Sequence, residues 1–113
     1  MVTFDDLKAL VTSFPEVIEE PHFEKTSFRV KGKIFLTYDQ KTDRATIKLS
    51  PTDQDEFSLG DHGIAPVDNK WGKLGWTMIE LDRISKPLFK EALITAYCEV
   101  APKSLAEKVS SES

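Results

Sequence analysis

The chain has 113 residues, of which 40% are hydrophobic and 30% charged, and its formal net charge is −4. This is the size of one domain with one hydrophobic core, and an aromatic content of 10% excludes disorder throughout. No apolar run approaches the roughly 18 residues of a membrane span. The first residues are not typical of a signal peptide. A single cysteine, Cys98, predicts a reducing, cytoplasmic setting.

The first predicted element is a helix that begins after Thr3. Thr3 is a favourable N-cap, and Asp6 three residues later approximates a capping box. Apolar residues recur at helical spacing until Pro15 ends the helix: Phe4, Leu7, Leu10, Val11 and Phe14. The acidic segment 16–25, which contains Pro21, predicts a polar connector without regular structure.

Three strands are predicted between residues 27 and 49. Residues 27–31 alternate strictly between apolar and polar, residues 33–38 are rich in β-formers, and residues 44–49 alternate again. Gly32 separates the first two strands and a polar loop separates the second pair, so the connections are short. Short connections favour an antiparallel meander.

The second half of the chain predicts two helices and two more strands. Helix-start signals at Ser50 and Ser85 predict a short helix over 52–58 and a long one that ends at Pro102. Residues 64–68 predict a short edge strand, because Pro66 is not compatible with a central one, and residues 76–81 predict the last strand. The expected order is α-β-β-β-α-β-β-α, with residues 1–102 as one domain and residues 103–113 as a polar tail that has room for one or two more helical turns.

The periodicity of these elements also predicts which side chains form the core. Each element has one apolar face, and the residues on these faces are expected to be mostly buried. They are Phe4, Leu7, Leu10, Phe28, Val30, Ile47, Leu49, Ile79, Leu81, Leu88, Leu93 and Ala96.

The basic residues are unevenly distributed. Residues 25–50 contain seven basic and two acidic residues, a net charge of +5, although the whole chain is acidic. We predict an open sheet face on which Arg29 and Lys31 of one strand share a surface with Arg44 and Lys48 of another. With stacking aromatics such as Phe35, this face would form a nucleic-acid or anion surface. The residues predicted to contribute to it are Arg29, Lys31, Lys33, Lys48, Lys73 and Trp76.

Two other functions remain open at this point. The segment 71–76 has two tryptophans and a lysine, and together with His22 it indicates an alternative ligand pocket near His22, Trp71 and Trp76. The open sheet face or an exposed strand edge also suits a protein partner.

No catalytic motif, metal-ligand spacing or cofactor motif is present in the sequence. The two histidines are predicted to be loop residues rather than metal ligands. Cys98 lies near the apolar stripe of the last predicted helix, which indicates an inert thiol. We therefore expect no enzymatic activity and no cofactor.

Three segments carry a resemblance to a known family: 28–35 (FRVKGKIF), 47–51 (IKLSP) and 73–77 (KLGWT). Together with the preceding Glu20-Pro21-His22-Phe23 and the order of elements, they resemble the MmcQ/YjbR family of small bacterial proteins over residues 3 to 101. The resemblance implies an α+β two-layer sandwich, an antiparallel sheet with helices on one face, related to type III secretion chaperones.

The resemblance also implies a function class. Members of the family are commonly described as DNA-binding, and the family has no established catalytic residues to carry over. Because this chain is acidic, we expect any binding of DNA to be weak and non-specific, with a Kd of about 10⁻⁴–10⁻⁶ M at physiological salt.

Overall fold

A computed structural model describes residues 2–60 and 62–110 of the chain. It contains six strands in one antiparallel sheet of order β1-β2-β3-β4-β6-β5. The strands are β1 (Val17–His22), β2 (Lys25–Val30), β3 (Lys33–Asp39), β4 (Arg44–Lys48), β5 (Ile64–Pro66) and β6 (Trp76–Glu80). The helices are α1 (Phe4–Thr12), α2 (Pro51–Phe57), α3 (Lys86–Val100) and α4 (Lys103–Ser110), and a 3-10 turn (Gly72–Leu74) precedes β6.

The fold is an α+β two-layer sandwich with the helices on one face of the sheet, as predicted. The meander of β2, β3 and β4 and the edge position of β5 are also confirmed. Helices begin where the sequence indicated. Thr3 and Asp6 form a reciprocal capping box at α1, and Ser50 and Ser85 accept backbone N–H bonds at α2 and α3.

One strand was missed by the sequence analysis. The predicted polar connector over 16–25 contains β1, which pairs antiparallel with β2 from Val17 opposite Val30 to His22 opposite Lys25. The prediction was wrong because four consecutive β1 residues, 18–21, are exposed, so no alternation of apolar and polar residues marks the strand. Pro21 is tolerated because β1 is an edge strand.

The segment predicted as a polar tail also contains regular structure. Residues 103–110 form α4, and its two inward side chains, Leu105 and Val109, are buried against the rest of the core. Two apolar residues four positions apart allow one or two helical turns, as the sequence analysis did, but do not mark where a helix begins. Pro102, which was expected to end α3, lies at the start of α4, where its carbonyl accepts the N–H of Leu105 and of Ala106.

The core lies between the sheet and the helices. Nine of the predicted core residues are buried, whereas Phe4, Leu10 and Leu88 are partly buried and pack at its margin. Tyr97 of α3 lies at the centre, where its ring contacts those of Phe14 and Phe35 and its hydroxyl donates to the Pro15 carbonyl at 2.7 Å. Within residues 2–60 and 62–110, no helix covers the opposite face of the sheet.

Candidate functional site

The uncovered face of the sheet, called the open face below, carries polar and aromatic side chains. Strand alternation and the cross-strand partners place these residues opposite the core side chains. From β2 to β6 they are Lys25, Ser27, Arg29, Thr37, Arg44, Thr46, Lys48, Trp76, Met78 and Glu80.

A groove of about 410 Å³ crosses the open face. It is called the aromatic groove below. Threonines from adjacent strands, Thr37 and Thr46, are cross-strand partners in its floor. Its complete lining is His22, Lys25, Ile34, Thr37, Thr46, Val67, Asn69, Trp71 and Trp76. The structure therefore brings together the three residues of the alternative pocket predicted from the sequence, His22, Trp71 and Trp76.

One wall of the aromatic groove is formed by the loop between β5 and β6, which carries Trp71, and by Trp76 at the start of β6. Trp71 is 50% exposed, and Trp76 begins β6 opposite Lys48 of β4. The loop is held closely against the sheet at Gly75, which has φ 103° and donates its N–H to the Gly72 carbonyl. A Cβ atom at Gly75 would overlap the carbonyl oxygen of Leu49, so this position requires glycine.

Gln54 of α2 holds the same loop in place through hydrogen bonds. Its side chain is only 6% exposed. The amide Nε2 lies 2.9 Å from the Gly72 carbonyl oxygen, 3.1 Å from that of Trp76 and 3.2 Å from the Thr77 hydroxyl. A buried amide with acceptors on both sides of Gly75 is a positioning group for the tryptophans.

The sequence analysis did not identify Gln54 as a site residue. The available signal was an uncharged amide side chain among Asp53, Asp55 and Glu56, on a helix whose charged residues are all acidic. That signal does not say which way the side chain points, because the helix is too short for a clear period.

The opposite wall of the aromatic groove is the tip of the β1–β2 hairpin. His22 lines the groove, and Phe23 at the tip is 94% exposed. The two rings are in edge-to-face contact, with centroids 4.9 Å apart. An aromatic side chain this exposed adds nothing to the core, so the hairpin tip extends the apolar rim of the groove.

Two of the predicted cationic residues are paired with glutamates in or directly before β1. The Nε atom of Arg29 lies 3.1 Å from the Glu20 carboxylate, and Nζ of Lys31 lies 2.7 Å from that of Glu16. Lys31 is not on the face of β2 at all, because the strand ends at Val30 and Lys31 lies in the turn with φ 52°. The predicted pairing of Arg29 and Lys31 on one strand face was wrong.

The other predicted anion-binding residues are placed differently from one another. Nζ of Lys48 donates to the Leu74 carbonyl at 2.7 Å, so it supports the loop between β5 and β6, called the tryptophan loop below. Lys33, at the start of β3, and Lys73, in the 3-10 turn, are exposed. Trp76 lines the aromatic groove. Phe35, predicted as a stacking platform, is fully buried on the helical side, because a bulge in the β2–β3 pairing turns it into the core.

Within the described ranges, three lysines near the aromatic groove have no carboxylate within ion-pairing distance: Lys25, Lys70 and Lys73. Lys25 lines the groove, and Nζ of Lys70 lies over the Trp71 ring at 5.5 Å from its centroid. The cationic character of this site therefore comes largely from residues outside the predicted set.

Cys98 lies on α3, on the helical side of the sheet. Its Sγ atom is 3.6 Å from the Ala106 carbonyl oxygen of α4, and burial raises the pKa of the thiol. A raised pKa lowers the thiolate fraction at neutral pH, which agrees with the predicted inert thiol. In the described part of the chain, no group of three or more metal-ligating side chains lies close together, and no helix is long and apolar enough to cross a membrane.

The chain is similar to known proteins in sequence and in fold. The family model YjbR matches residues 12–99. The crystal structure of Deinococcus radiodurans protein DR2400, with a DUF419 domain, matches with a TM-score of 0.78 and 25% sequence identity, over 97% of this chain and 89% of that one. No curated protein is similar enough to count as a match.

Proposed function

The chain belongs to the YjbR family, and we propose that it is a non-catalytic binding module that holds a ring-bearing ligand in the aromatic groove of its open face. The observation that carries this proposal is the convergence of His22, Trp71 and Trp76 around one groove of about 410 Å³. This size lies within the usual range of about 300–1,000 Å³ for small-molecule pockets.

The chemistry of the lining supports a ligand with a flat ring. Two tryptophans and two aliphatic side chains provide an apolar surface, and Asn69 and the two threonines provide hydrogen-bonding groups. Such a mixture of aromatic area and a few polar groups is typical of ligand sites. Trp71 is half exposed although a core position would bury most of it, so its ring is available to stack.

Tryptophan fluorescence provides a direct test. The chain has two tryptophans, and both line the groove, so a ring-bearing ligand that binds there will change the emission. We expect Trp71→Ala to weaken binding at least tenfold, which corresponds to about 1–3 kcal/mol for one stacking contact. Lys103→Gln on α4, on the other layer, is the matched control. If no ring compound of a broad panel changes the emission or the thermal midpoint, the proposal is wrong.

DNA is a second candidate ligand, and the unpaired lysines favour it. Lys70 lies over the Trp71 ring, Lys25 lines the same groove and Lys73 follows in the 3-10 turn, an arrangement suited to a single strand whose bases stack while its phosphates contact lysines. The net charge of −4 opposes a polyanion at long range, so the expected Kd stays at about 10⁻⁴–10⁻⁶ M.

Titration of labelled single-stranded and duplex DNA at several salt concentrations tests this candidate. We expect the single strand to bind more tightly than the duplex, and Lys73→Gln to reduce the salt slope by about one unit. Arg29→Gln is the matched control, since Arg29 is already paired with Glu20. The absence of binding to either form at tens of micromolar protein would exclude DNA and leave the small-ligand proposal.

A protein partner that adds a strand to the sheet is less well supported. The two edge strands, β1 and β5, contain Pro21 and Pro66, and each proline removes a backbone donor from its edge. A protein partner would therefore have to use the open face and would compete with the ligand for the aromatic groove. The cytoplasmic location stays a prediction of the sequence.

A further inference from the structure

A second hollow of about 180 Å³ adjoins the aromatic groove on the open face. The two share Lys25, Thr37 and Thr46, so they form one continuous depression across β2, β3 and β4. The second hollow is called the charged hollow below. Beyond the shared residues, it is lined by Asp39, Thr42, Arg44 and Met78.

Opposite charges alternate along the charged hollow. Asp39 of β3 lies across from Arg44 of β4, which in turn lies across from Glu80 of β6. On the other side, the antiparallel register of β2 and β3 places Lys25 across from Asp39. The row therefore runs from lysine through aspartate and arginine to glutamate, and its charges cancel. A ligand that matches this row carries both signs of charge, because an anion alone would lie against a carboxylate.

Lys25 and Asp39 offer one adjacent charge of each sign. Among the described residues, neither has an oppositely charged group within ion-pairing distance. Arg44, the other cation beside Asp39, is 3.7 Å from Glu80 through its Nη2 atom. Oδ1 of Asp39 accepts the backbone N–H of Lys41 at 3.0 Å, which fixes the carboxylate and leaves its Oδ2 atom to accept from another donor.

We propose that the ligand of this depression is a free aromatic amino acid, with its ring in the aromatic groove, its ammonium group on Asp39 and its carboxylate on Lys25. This inference rests on the proposed function and names the ligand class of the same site. It follows from the order of chemistry along the depression, which runs from tryptophans through paired threonines to adjacent charges of opposite sign. A free α-amino acid carries both charges at neutral pH.

The spacing along the strands suits such a ligand. The ring stacks on the tryptophan wall, above the floor formed by Thr37 and Thr46. Asp39 is two residues from Thr37 on the same strand, which corresponds to about 6–7 Å. Lys25 lines both cavities, so it lies where the ring site meets the charged row. Two carbons join the ring of an aromatic amino acid to its charged groups, so both ends reach their sites together.

Calorimetry with four probes tests each part of this ligand: L-phenylalanine, phenethylamine, 3-phenylpropionate and L-leucine. Phenethylamine lacks the carboxylate, 3-phenylpropionate lacks the ammonium group, and leucine lacks the ring. We expect phenylalanine to bind at least about tenfold more tightly than each of the others, because it alone combines stacking with a charge-assisted hydrogen bond of each sign.

Asp39→Asn tests the ammonium contact. Asparagine retains the Oδ1 acceptor for the backbone N–H of Lys41, so the turn after β3 is preserved. The variant should lose at least about tenfold in affinity for phenylalanine, but it should not weaken the binding of 3-phenylpropionate, which has no ammonium group. Asp55→Asn, at an exposed position of α2 on the helical side of the sheet, is the matched control and should change neither affinity.

The outcomes separate this inference from the proposed function. Equal affinities for phenylalanine and either singly charged probe, or an Asp39→Asn protein that binds phenylalanine as the wild type does, would overturn the amino-acid assignment but support a ring-binding groove. Equal affinity for phenylalaninamide, whose carboxylate is blocked, would identify the first residue of a peptide and overturn the free amino acid. Leucine that binds as tightly as phenylalanine would contradict both the inference and the proposed function. If no ring compound binds at all, both are wrong.

Discussion

The basic residues near β1 and β2 differ from those in the loop before β6 in their ion pairs. Near β1 and β2, Arg29, Lys31 and Lys41 each contact a glutamate within 3.1 Å. In the loop before β6, no described carboxylate is within ion-pairing distance of Lys70 or Lys73, and Lys70 lies over Trp71 instead. Three residues of the basic block are therefore paired with glutamates in or next to β1, whereas Lys25 of the block and Lys70 and Lys73 outside it have no such partner among the described residues. A local excess of basic residues in the sequence therefore does not predict the charge of the folded surface.

The two regions also differ in how tightly their turns are built. The β2–β3 turn at Gly32 is open, with no atom within 4 Å of the position that a Cβ would occupy, whereas Gly75 has no such space. The loop between β5 and β6 is thus fixed by close packing and by Gln54. The strands β1 to β3 and their turns, called the hairpin region below, are held mainly by strand pairing and exposed ion pairs. A preorganised loop is what a ligand site requires.

The largest expected effect comes from the two turn glycines. Gly75→Ala places a side chain at φ 103° and against the Leu49 carbonyl, so we expect a loss of at least about 3 kcal/mol in the free energy of unfolding. Gly32→Ala, at φ 80° in open space, should cost only about 1–2 kcal/mol. Urea unfolding measures both, and equal losses would contradict the proposed difference between the loops.

Alkaline pH tests the hydrogen bond between Tyr38 of β3 and Asp43 in the β3–β4 turn. Burial, and next the hydrogen bond to Asp43 at 2.6 Å, raise the pKa of Tyr38 to about 12. The unfolded chain loses this proton near its ordinary pKa of about 10, so the stability that the neutral phenol contributes is complete below that pH and is lost as pH rises to about 12. The free energy of unfolding of the wild type should therefore fall between pH 10 and pH 12 by more than that of Tyr38→Phe, which has no phenol to titrate. The same pH dependence in both proteins would contradict the assignment.

Removal of the Gln54 amide tests the support of the tryptophan loop. Gln54→Ala removes the side-chain donor from the Thr77 hydroxyl and leaves the Gly72 carbonyl with the Gly75 N–H alone, and we expect a loss of roughly 1–3 kcal/mol in the free energy of unfolding. The tryptophan emission should shift as well, because the loop carries Trp71 and leads directly into Trp76. Gln40→Ala, at an exposed loop position, should change the stability by less than about 0.5 kcal/mol. A Gln54→Ala protein with unchanged emission and stability would show that the amide does not hold the loop.

The smallest effect is expected at the ion pairs of the hairpin region. Lys31→Gln removes an exposed contact with Glu16 and should cost about 0–1 kcal/mol at low salt and less at high salt. Lys73→Gln should leave the free energy of unfolding unchanged, because that side chain has no such contact in the described structure. A large, salt-independent loss for Lys31→Gln would mean that the pair is more than a surface contact.

Local signals in the sequence were sufficient for much of the fold. Capping residues at Thr3, Ser50 and Ser85 marked three helix starts, and the alternation of apolar residues marked β2 and β4 with their buried faces. These features depend on neighbours within a few residues, so the sequence alone could specify them. The family resemblance then indicated the two-layer arrangement.

The composition of the site was decided only by the tertiary structure. His22 and Trp71 are far apart in the chain and face each other because β1 pairs with β2 and the β5–β6 loop folds across the sheet. Arg29 is neutralised by Glu20 because the same pairing places an acidic strand beside a basic one. The exposed β1 has no hydrophobic period, so nothing local predicted that pairing. Short-range preferences in the sequence determined most of the helices and strands, whereas β1, the groove, the charge balance and the support of the loop depend on contacts between distant segments.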